Sequence, residues 1–537
     1  MKTSLSSHAS DTANVASVPN AFVQKHQADV IGVLRGFDRL RLSGTFRALY
    51  HPPVMEKYIQ KAGFLMKDFK QLMLRITGQI KAATQEISER TGRPLTYLSS
   101  SQVRKEEVAR QIARKDGISS GLIAILSCVE PCRTYTVGGN PKTKMLEAQL
   151  GLGKCLHYYF YHFHPVFGFM HLRLQSWFPF LIHICLNGRN WLAQQMTGRG
   201  MRFEQQDNCF TWIEDVDRAQ QLLDEQLNTR WARELQKLVL ENHPTYRTIC
   251  RPMALSYYWT ACESEYATDV MFARPHRLAQ LYPRLVHHGI KSFGSRDVLR
   301  FLGHKPPANG VGKFAGELHS SLKHRPEGLR IKHFVNGNSL KLYDKQSQIL
   351  RVETTINHPE EFKVWRAREN DPEQKKAWCE LRRGLADLPR RAQVSHAANE
   401  RYLSALAMVD EKTPLSQEAQ TICQPLRKDG QSYRALNPWS DPDARLLEIV
   451  NRGEFAINGF RNRDLRPLLF STKGSEQEQK KRASAITRKC RLLRAHGLIR
   501  KVSGTHRYVV SEKGRRIITA LLAARQADVE QLTAMAA

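Results

Sequence analysis

The 537-residue sequence predicts an α+β protein of several domains, and three observations lead there. Residues Gly328 to Asn357 alternate apolar and polar side chains as three antiparallel strands do, whereas Met55 to Lys115 space their apolar positions three and four apart, as helices do. Basic residues outnumber acidic ones 82 to 51, a net charge of +31. A chain of this length buries sizeable cores in two or three domains.

The charge points to a polyanionic partner. DNA or RNA is the default, because cations that track phosphates release counterions, although ribosomes and acidic lipids attract the same charge. No P-loop, zincin or G-x-S-x-G pattern argues for an ATPase, a metalloprotease or an α/β-hydrolase. Ten cysteines lie scattered without C-x-x-C spacing, which predicts reduced thiols in a cytoplasmic protein. The longest apolar run, Trp177 to Leu186, is broken by Pro179 and His183 and is too short to span a bilayer, so no membrane partner is expected.

In chain order, a Ser- and Ala-rich disordered leader at residues 1–20 precedes a mainly helical region, 21–120. Within it Val33, Phe37, Leu40 and Leu42 predict a strand pair around Asp38, a candidate metal ligand or a turn cap paired with a neighbouring arginine. Phe64, Phe69, Leu72, Ile76 and Ile80 follow at helical spacing, and a second helix starts at Ser101. The body, 121–366, opens with a buried strand at Ile123 to Val129. Strands at Phe167 to Leu174 and Trp177 to Leu186 precede a helix opened by Asn187-Gly188.

Phe210 to Leu240 reads as an amphipathic helix, and Ser256 to Phe272 as a strand with Glu263, Glu265 and Asp269 on one side. Such an acidic row suits a metal-dependent phosphoryl-transfer site, and equally an edge strand kept soluble by charge. A helix at Arg277 to His288 and a loop at Gly303 to Gly316 lead to the three-strand unit. There Asn336-Gly337 supplies the first turn; Leu329, Ile331, Leu340, Leu342, Leu350 and Val352 form a core face. Arg330, Lys332, Lys341, Tyr343, Arg351, Glu353 and Thr355 form the other. Residues 367–440 read as a helical connector and linker, and 441–537 as a separate domain.

Two resemblances sharpen these readings. The strands carrying YDK and LRVE resemble those of rolling-circle replication initiators, and His162-Phe163-His164 is similar to the metal-holding pair of HUH nicking enzymes, whose nucleophile is a tyrosine; Tyr158, Tyr159 and Tyr161 lie nearby. At the C-terminus a helix at Asp443 to Asn451, a strand at Phe455 to Phe460, helices at Arg463 to Leu469 and Gln477 to His496, and a hairpin over Ser503 to His506 resemble the winged helix-turn-helix of DNA-binding proteins. The resemblance implies that Arg482, Ser484, Thr487, Arg488 and Arg491 face the major groove and that Lys501, His506 and Arg507 line the wing. Residues 461–516 hold 17 Lys plus Arg against 4 Asp plus Glu.

The expected function is therefore DNA processing by metal-dependent cleavage or strand transfer, like that of a replication initiator or transposase. Asp269, Asp344 and Glu353 would hold Mg²⁺ or Mn²⁺, and Lys341 would act beside them with Lys332 and Arg351 against phosphate charge. The alternatives are a winged-helix transcriptional regulator without enzymatic activity and an RNA-binding factor whose aromatic block, 157–191, stacks bases.

Overall fold

The computed structural model describes residues 20–304, 314–325, 328–368, 376–408, 415–428, 430–452, 454–455, 459–470, 475–503 and 505–528. The expected leader to residue 19, most of the Gly303 to Gly316 loop, Pro372 and residues 456–458 of the expected C-terminal strand lie outside them. The fold is α+β, built around one large and mostly antiparallel sheet.

The strands of the body are β1 (Val30–Thr45), β2 (Leu95–Leu98), β3 (Gly121–Gly139), β4 (Leu146–His164), β5 (Gly168–Gln175), β6 (Ile182–Asn187), β7 (Phe203–Gln206), β8 (Cys209–Ile213), β9 (Tyr258–Phe272), β10 (Leu318–Arg325), β11 (Gly328–Val335), β12 (Asn338–Lys345) and β13 (Ile349–Ile356). Their order in the main sheet is β10-β11-β12-β13-β9-β1-β6-β5-β4-β3-β2, with only β2 and β3 parallel. At the centre β1 pairs with β9 from Val30↔Phe272 to Thr45↔Tyr258, joining two meanders into one surface. β7 and β8 form a hairpin of their own.

The three-strand unit folds as its alternation predicts. Asn336 and Gly337 take φ of 46° and 81°, the left-handed pair that a two-residue hairpin turn requires, and Gln346 and Ser347 do the same at the next turn. Ile331, Leu340, Leu342, Leu350 and Val352 are fully buried beneath the helices Pro275–Lys291 and Leu388–Leu406. On the same side of the sheet, helices Pro52–Lys61 and Phe69–Thr91 pack on Ile125, Tyr158, Phe160 and Leu172. Helix Lys105–Lys115 covers the other side of β3 to β5 through Ala109, Ala113, Tyr159 and Tyr161.

β1 runs past the end of β6, which pairs only with Arg39 to Gly44. A bare strand edge leaves backbone groups unpaired, and Gln220 of helix Val216–Gln226 closes it. The Arg35 amide donates to Gln220 Oε1 at 2.7 Å, and Gln220 Nε2 donates to the Arg35 carbonyl at 3.0 Å.

Several elements differ from the sequence reading, each because tertiary pairing overrides local pattern. Val30–Thr45 is one strand rather than a pair, and it lies at the heart of the main sheet, while the rest of residues 21–120 is mainly helical. Phe210 to Leu240 splits into the strand Cys209–Ile213 and the helices Val216–Gln226 and Trp231–Asn242, the first capped by Asp215. Trp177 to Leu181 is a turn rather than a strand start, with a cis Phe178-Pro179 bond. The expected helical connector opens instead with a ribbon, Lys363–Ala367 paired with Lys376–Glu380, and its helix is Leu388–Leu406. The expected linker carries a helix, Leu415–Cys423.

The C-terminal part has its own core of Leu446, Leu447, Ile486, Cys490, Leu493, Ile518 and Leu521. Its helices are Asp441–Val450, Asn462–Leu469, Glu476–Ala495 and Glu512–Gln526. Between the last two, Ile499–Lys501 pairs with Tyr508–Val510, and Phe460 bridges to Tyr508 as a third short partner. Ser475 and Glu478 close a capping box at the start of the long helix, which sets where it begins.

Candidate active site

Sheet register decides which polar residues meet. Glu353 lies opposite Lys341 on β12, while Arg351 lies opposite Tyr343 on β12 and Asp269 on β9. Glu265 lies opposite Thr355 on β13 and Arg39 on β1. Residues directly opposite in an antiparallel pair point to the same face, so these side chains share one surface. Between Phe37 and Arg39 the β1–β9 register slips, leaving Asp38 as the extra residue of a bulge. A bulge re-aims its side chain, and Asp38 turns into the same cluster.

Carboxylate oxygens of Asp38, Glu265 and Glu353 lie within 4.8 Å of one another. At that separation each like-charge pair repels by about 3 kcal/mol even at an effective dielectric of 20, so the trio needs cations. Lys341 Nζ donates to Glu353 Oε1 at 2.6 Å and to Glu265 Oε1 at 2.9 Å. Arg351 Nη1 donates to Asp38 Oδ1 at 3.0 Å, and Asn208 Nδ2 donates to both Asp38 oxygens. Arg39 Nε stands 3.8 Å from Glu265. Tyr343 donates its hydroxyl to Glu353 Oε2 at 2.6 Å.

Burial would raise the Glu353 carboxyl, but Lys341, Arg351 and the hydrogen bonds from Lys341 and Tyr343 hold it down at about 2. Glu265 moves the other way, raised by burial and by the charge of Glu353. Burial would lower Lys341, and the two glutamates raise it instead. The Tyr343 phenol is raised well above its usual range by burial and then by Glu353, so it stays protonated and orients the carboxylate. Thr355, opposite Glu265, has a buried hydroxyl with no hydrogen-bond partner.

The expected ligands Asp269 and Asp344 take other places. Asp269 is the hub of a buried ion-pair chain: Arg351 Nε and Nη2 donate to it at 2.5 and 2.7 Å, and Arg189 Nε donates at 3.0 Å. Both guanidinium side chains are fully buried. Arg189 reaches it because Gly188 opens the helix Gly188–Thr197 against β1, where a Cβ would fall 1.6 Å from the Phe37 carbonyl oxygen. With its oxygens committed to two arginines, Asp269 braces Arg351 rather than offering a metal ligand.

Asp344 points to the opposite, core side of the sheet. It pairs with the core residue Leu350, and one of its carboxylate oxygens is buried without a partner. Burial pushes its pKa up to about 6. A carboxyl whose folded-state pKa is raised destabilises the fold above that value, and the penalty vanishes below the unfolded pKa. Asp344→Asn is therefore expected to stabilise the protein by about 1 kcal/mol at pH 7, after allowance for partial exposure, and by nothing below about pH 4. Chemical unfolding at both pH values checks this. The substitution is also expected to leave chemistry at the Glu353 face unchanged.

His162 and His164 sit on β4 facing away from the carboxylates, since their neighbour Tyr161 shares the face of His171 and Cys185. Burial lowers His162 to about 4. Tyr159 is tied to Glu130, and Tyr161 packs on His171.

Among the expected DNA contacts, Ser484, Arg488, Arg491, Lys501 and His506 are exposed. Arg482 instead lies over the Phe470 ring and Arg507 over Trp365. The Thr487 hydroxyl accepts from Asn462 and donates to the Ala483 carbonyl, which turns it inward. Asn208 and Arg189 were missed by sequence reasoning, because nothing local marks a loop asparagine or a helix arginine as the partner of a strand carboxylate.

No family model matches the chain, and no curated protein or solved structure does either. Among the described residues no helix is long and apolar enough to cross a membrane.

Proposed function

We propose that the protein binds DNA and cleaves or transfers a strand in a metal-dependent phosphodiester reaction at the Asp38, Glu265 and Glu353 cluster. The observation that carries this reading is the convergence of three carboxylates from three adjacent strands on one sheet face. Oxygen-only donors suit Mg²⁺ or Mn²⁺. The buried, unpartnered Thr355 hydroxyl beside them is a further polar group awaiting a ligand. A bound cation would polarise the phosphodiester and offset charge on the oxygens. Lys341 and Arg39 lie close enough to meet the phosphate, and half-exposed Arg330 and Lys332 extend the cationic face across β11.

The C-terminal part supports a targeting role. Its three helices, short hairpin and closing helix follow the order of a winged helix-turn-helix, and Arg488 and Arg491 are exposed on the helix that would enter the groove. Losing two phosphate contacts shallows the salt dependence of binding by about 1.8 in log-log slope. The double variant Arg488→Ala/Arg491→Ala is accordingly expected to bind duplex DNA about 10-fold or more weakly at low salt, measured by fluorescence anisotropy across a salt series. Unchanged affinity and slope would remove this helix from the interface.

The deciding experiment incubates the protein with supercoiled and single-stranded DNA, with Mg²⁺, with Mn²⁺ and with chelator, beside Glu353→Gln. Nicking that needs the metal and is lost in the variant is the expected result. The cluster's internal charge balance favours a second reading, a DNA-binding regulator without enzymatic activity. DNA left intact in every condition while binding persists would select it.

A further inference from the structure

Away from the carboxylates, on the long β3–β4 ribbon, Cys132, Cys155 and His157 place two sulfurs and a ring nitrogen within 4.8 Å of one another. The register explains the meeting: Cys132 lies opposite Gly153, which carries no side chain, so its sulfur reaches diagonally to Cys155, opposite Glu130. The two sulfurs are 3.4 Å apart. His157 is completely buried, and its Nδ1 lies 3.1 Å from the Cys155 carbonyl oxygen. A carbonyl only accepts, so Nδ1 carries the proton and Nε2 keeps a free lone pair. That Nε2 is buried and has no hydrogen-bond partner.

We propose that these three residues form a binding site for a thiophilic divalent cation of the zinc class. A histidine held through Nδ1–H to a carbonyl, with Nε2 presented for ligation, is the arrangement that fixes metal-binding imidazoles. The donor set, two sulfurs and one nitrogen, excludes Mg²⁺ and Ca²⁺ and suits Zn²⁺. Binding replaces the two thiol protons, which leave to solvent, so the dication and two thiolates sum to zero charge and tolerate burial.

Two Zn–S bonds of about 2.3 Å at a tetrahedral angle set the sulfurs about 3.8 Å apart, so they need part by only a few tenths of an ångström. The scaffold is stiff: Gln175 Nε2 donates to the carbonyls of Arg133 and Trp177, and the Ser176 amide donates to the Leu156 carbonyl. Cys132 is the partly exposed member and provides entry, while the fourth coordination position is left to water. A disulfide would leave the buried Nε2 without a partner; a metal satisfies it. This site is independent of the proposed DNA chemistry.

The test titrates the full, reduced chain with Co²⁺ and then Zn²⁺, beside Cys132→Ser and His157→Gln. One Co²⁺ per chain with a thiolate charge-transfer band, displaced by Zn²⁺, is expected, and Cys132→Ser should lose the band and about 100-fold or more in affinity. Co²⁺ held by Asp38, Glu265 and Glu353 gives no such band, so the two sites report separately. Cys132→Ser tests the site even where His157→Gln fails to fold, because Cys132 is partly exposed. Absence of the band while thiol titration finds every cysteine reduced would overturn the proposal. So would a band unchanged in Cys132→Ser, or a Cys132–Cys155 disulfide that Zn²⁺ does not prevent.

Discussion

Asp269→Ala is expected to destabilise the protein by about 3–5 kcal/mol, the cost of leaving buried charge without its partner. Arg189 and Arg351 are both fully buried, and Asp269 is the carboxylate that both share. Removing it leaves two desolvated guanidinium groups facing each other across a cavity, with Asp38 and the Asn208 carbonyl still bonded to Arg351. Burial would raise the Asp269 carboxyl, but Arg189 and then Arg351 hold it below its usual range. A depressed folded-state pKa contributes stability above the unfolded pKa, lost as pH falls through the folded value. The Asp269→Ala difference should therefore be full at pH 7 and shrink as the pH falls below about 4. Urea unfolding of both proteins at each pH measures it. A loss under about 1 kcal/mol at pH 7 would mean that the guanidinium groups find other partners.

Lys341→Met separates a metal site from an ordinary ion-pair network. Its ammonium group is the one cation hydrogen-bonded to both Glu265 and Glu353 among the described residues. Without it two carboxylates face each other with Asp38 nearby, and stability in chelator is expected to fall by about 3–5 kcal/mol. A divalent cation that binds the folded trio then restores stability by mass action, about 2.7 kcal/mol at 100 times its dissociation constant. Thermal unfolding with EDTA, Mg²⁺ and Mn²⁺ reads this out. Recovery with either ion, absent in the double variant Lys341→Met/Glu353→Gln, is the result expected of a cation site. Equal instability in all three conditions would mark the trio as structural. Glu353, held at about 2, should also make the wild-type protein lose stability as pH falls from about 4.5 toward 2, a loss smaller in Glu353→Gln.

Much of the β11–β13 unit was legible because period-two alternation and a turn needing positive φ are local properties. The same alternation places Asp344 with Leu340 and Leu342 on the core face, away from Lys341 and Tyr343, as the structure has it. Residue type groups it with Glu353, but strand parity separates the two. Asp38 is visible as an isolated acidic residue, and Glu265 as one of an acidic row with Glu263 and Asp269, each in a strand-like run. Their meeting depends on a pairing of β1 with β9 across more than two hundred residues, and on a bulge that no residue of β1 announces.

By itself the sequence determined the α+β class, the polar and apolar faces of the hairpin strands, the positive charge and the helical order at the C-terminus, all of which arise from neighbours a few positions apart. Tertiary structure decided that Val30–Thr45 is the centre of the sheet, that Arg189 and Arg351 claim Asp269, and that Cys132 meets Cys155 and His157. Those outcomes follow from strand register, where a slip of one residue moves every side chain to the opposite face, and register is set by the packing of the whole sheet.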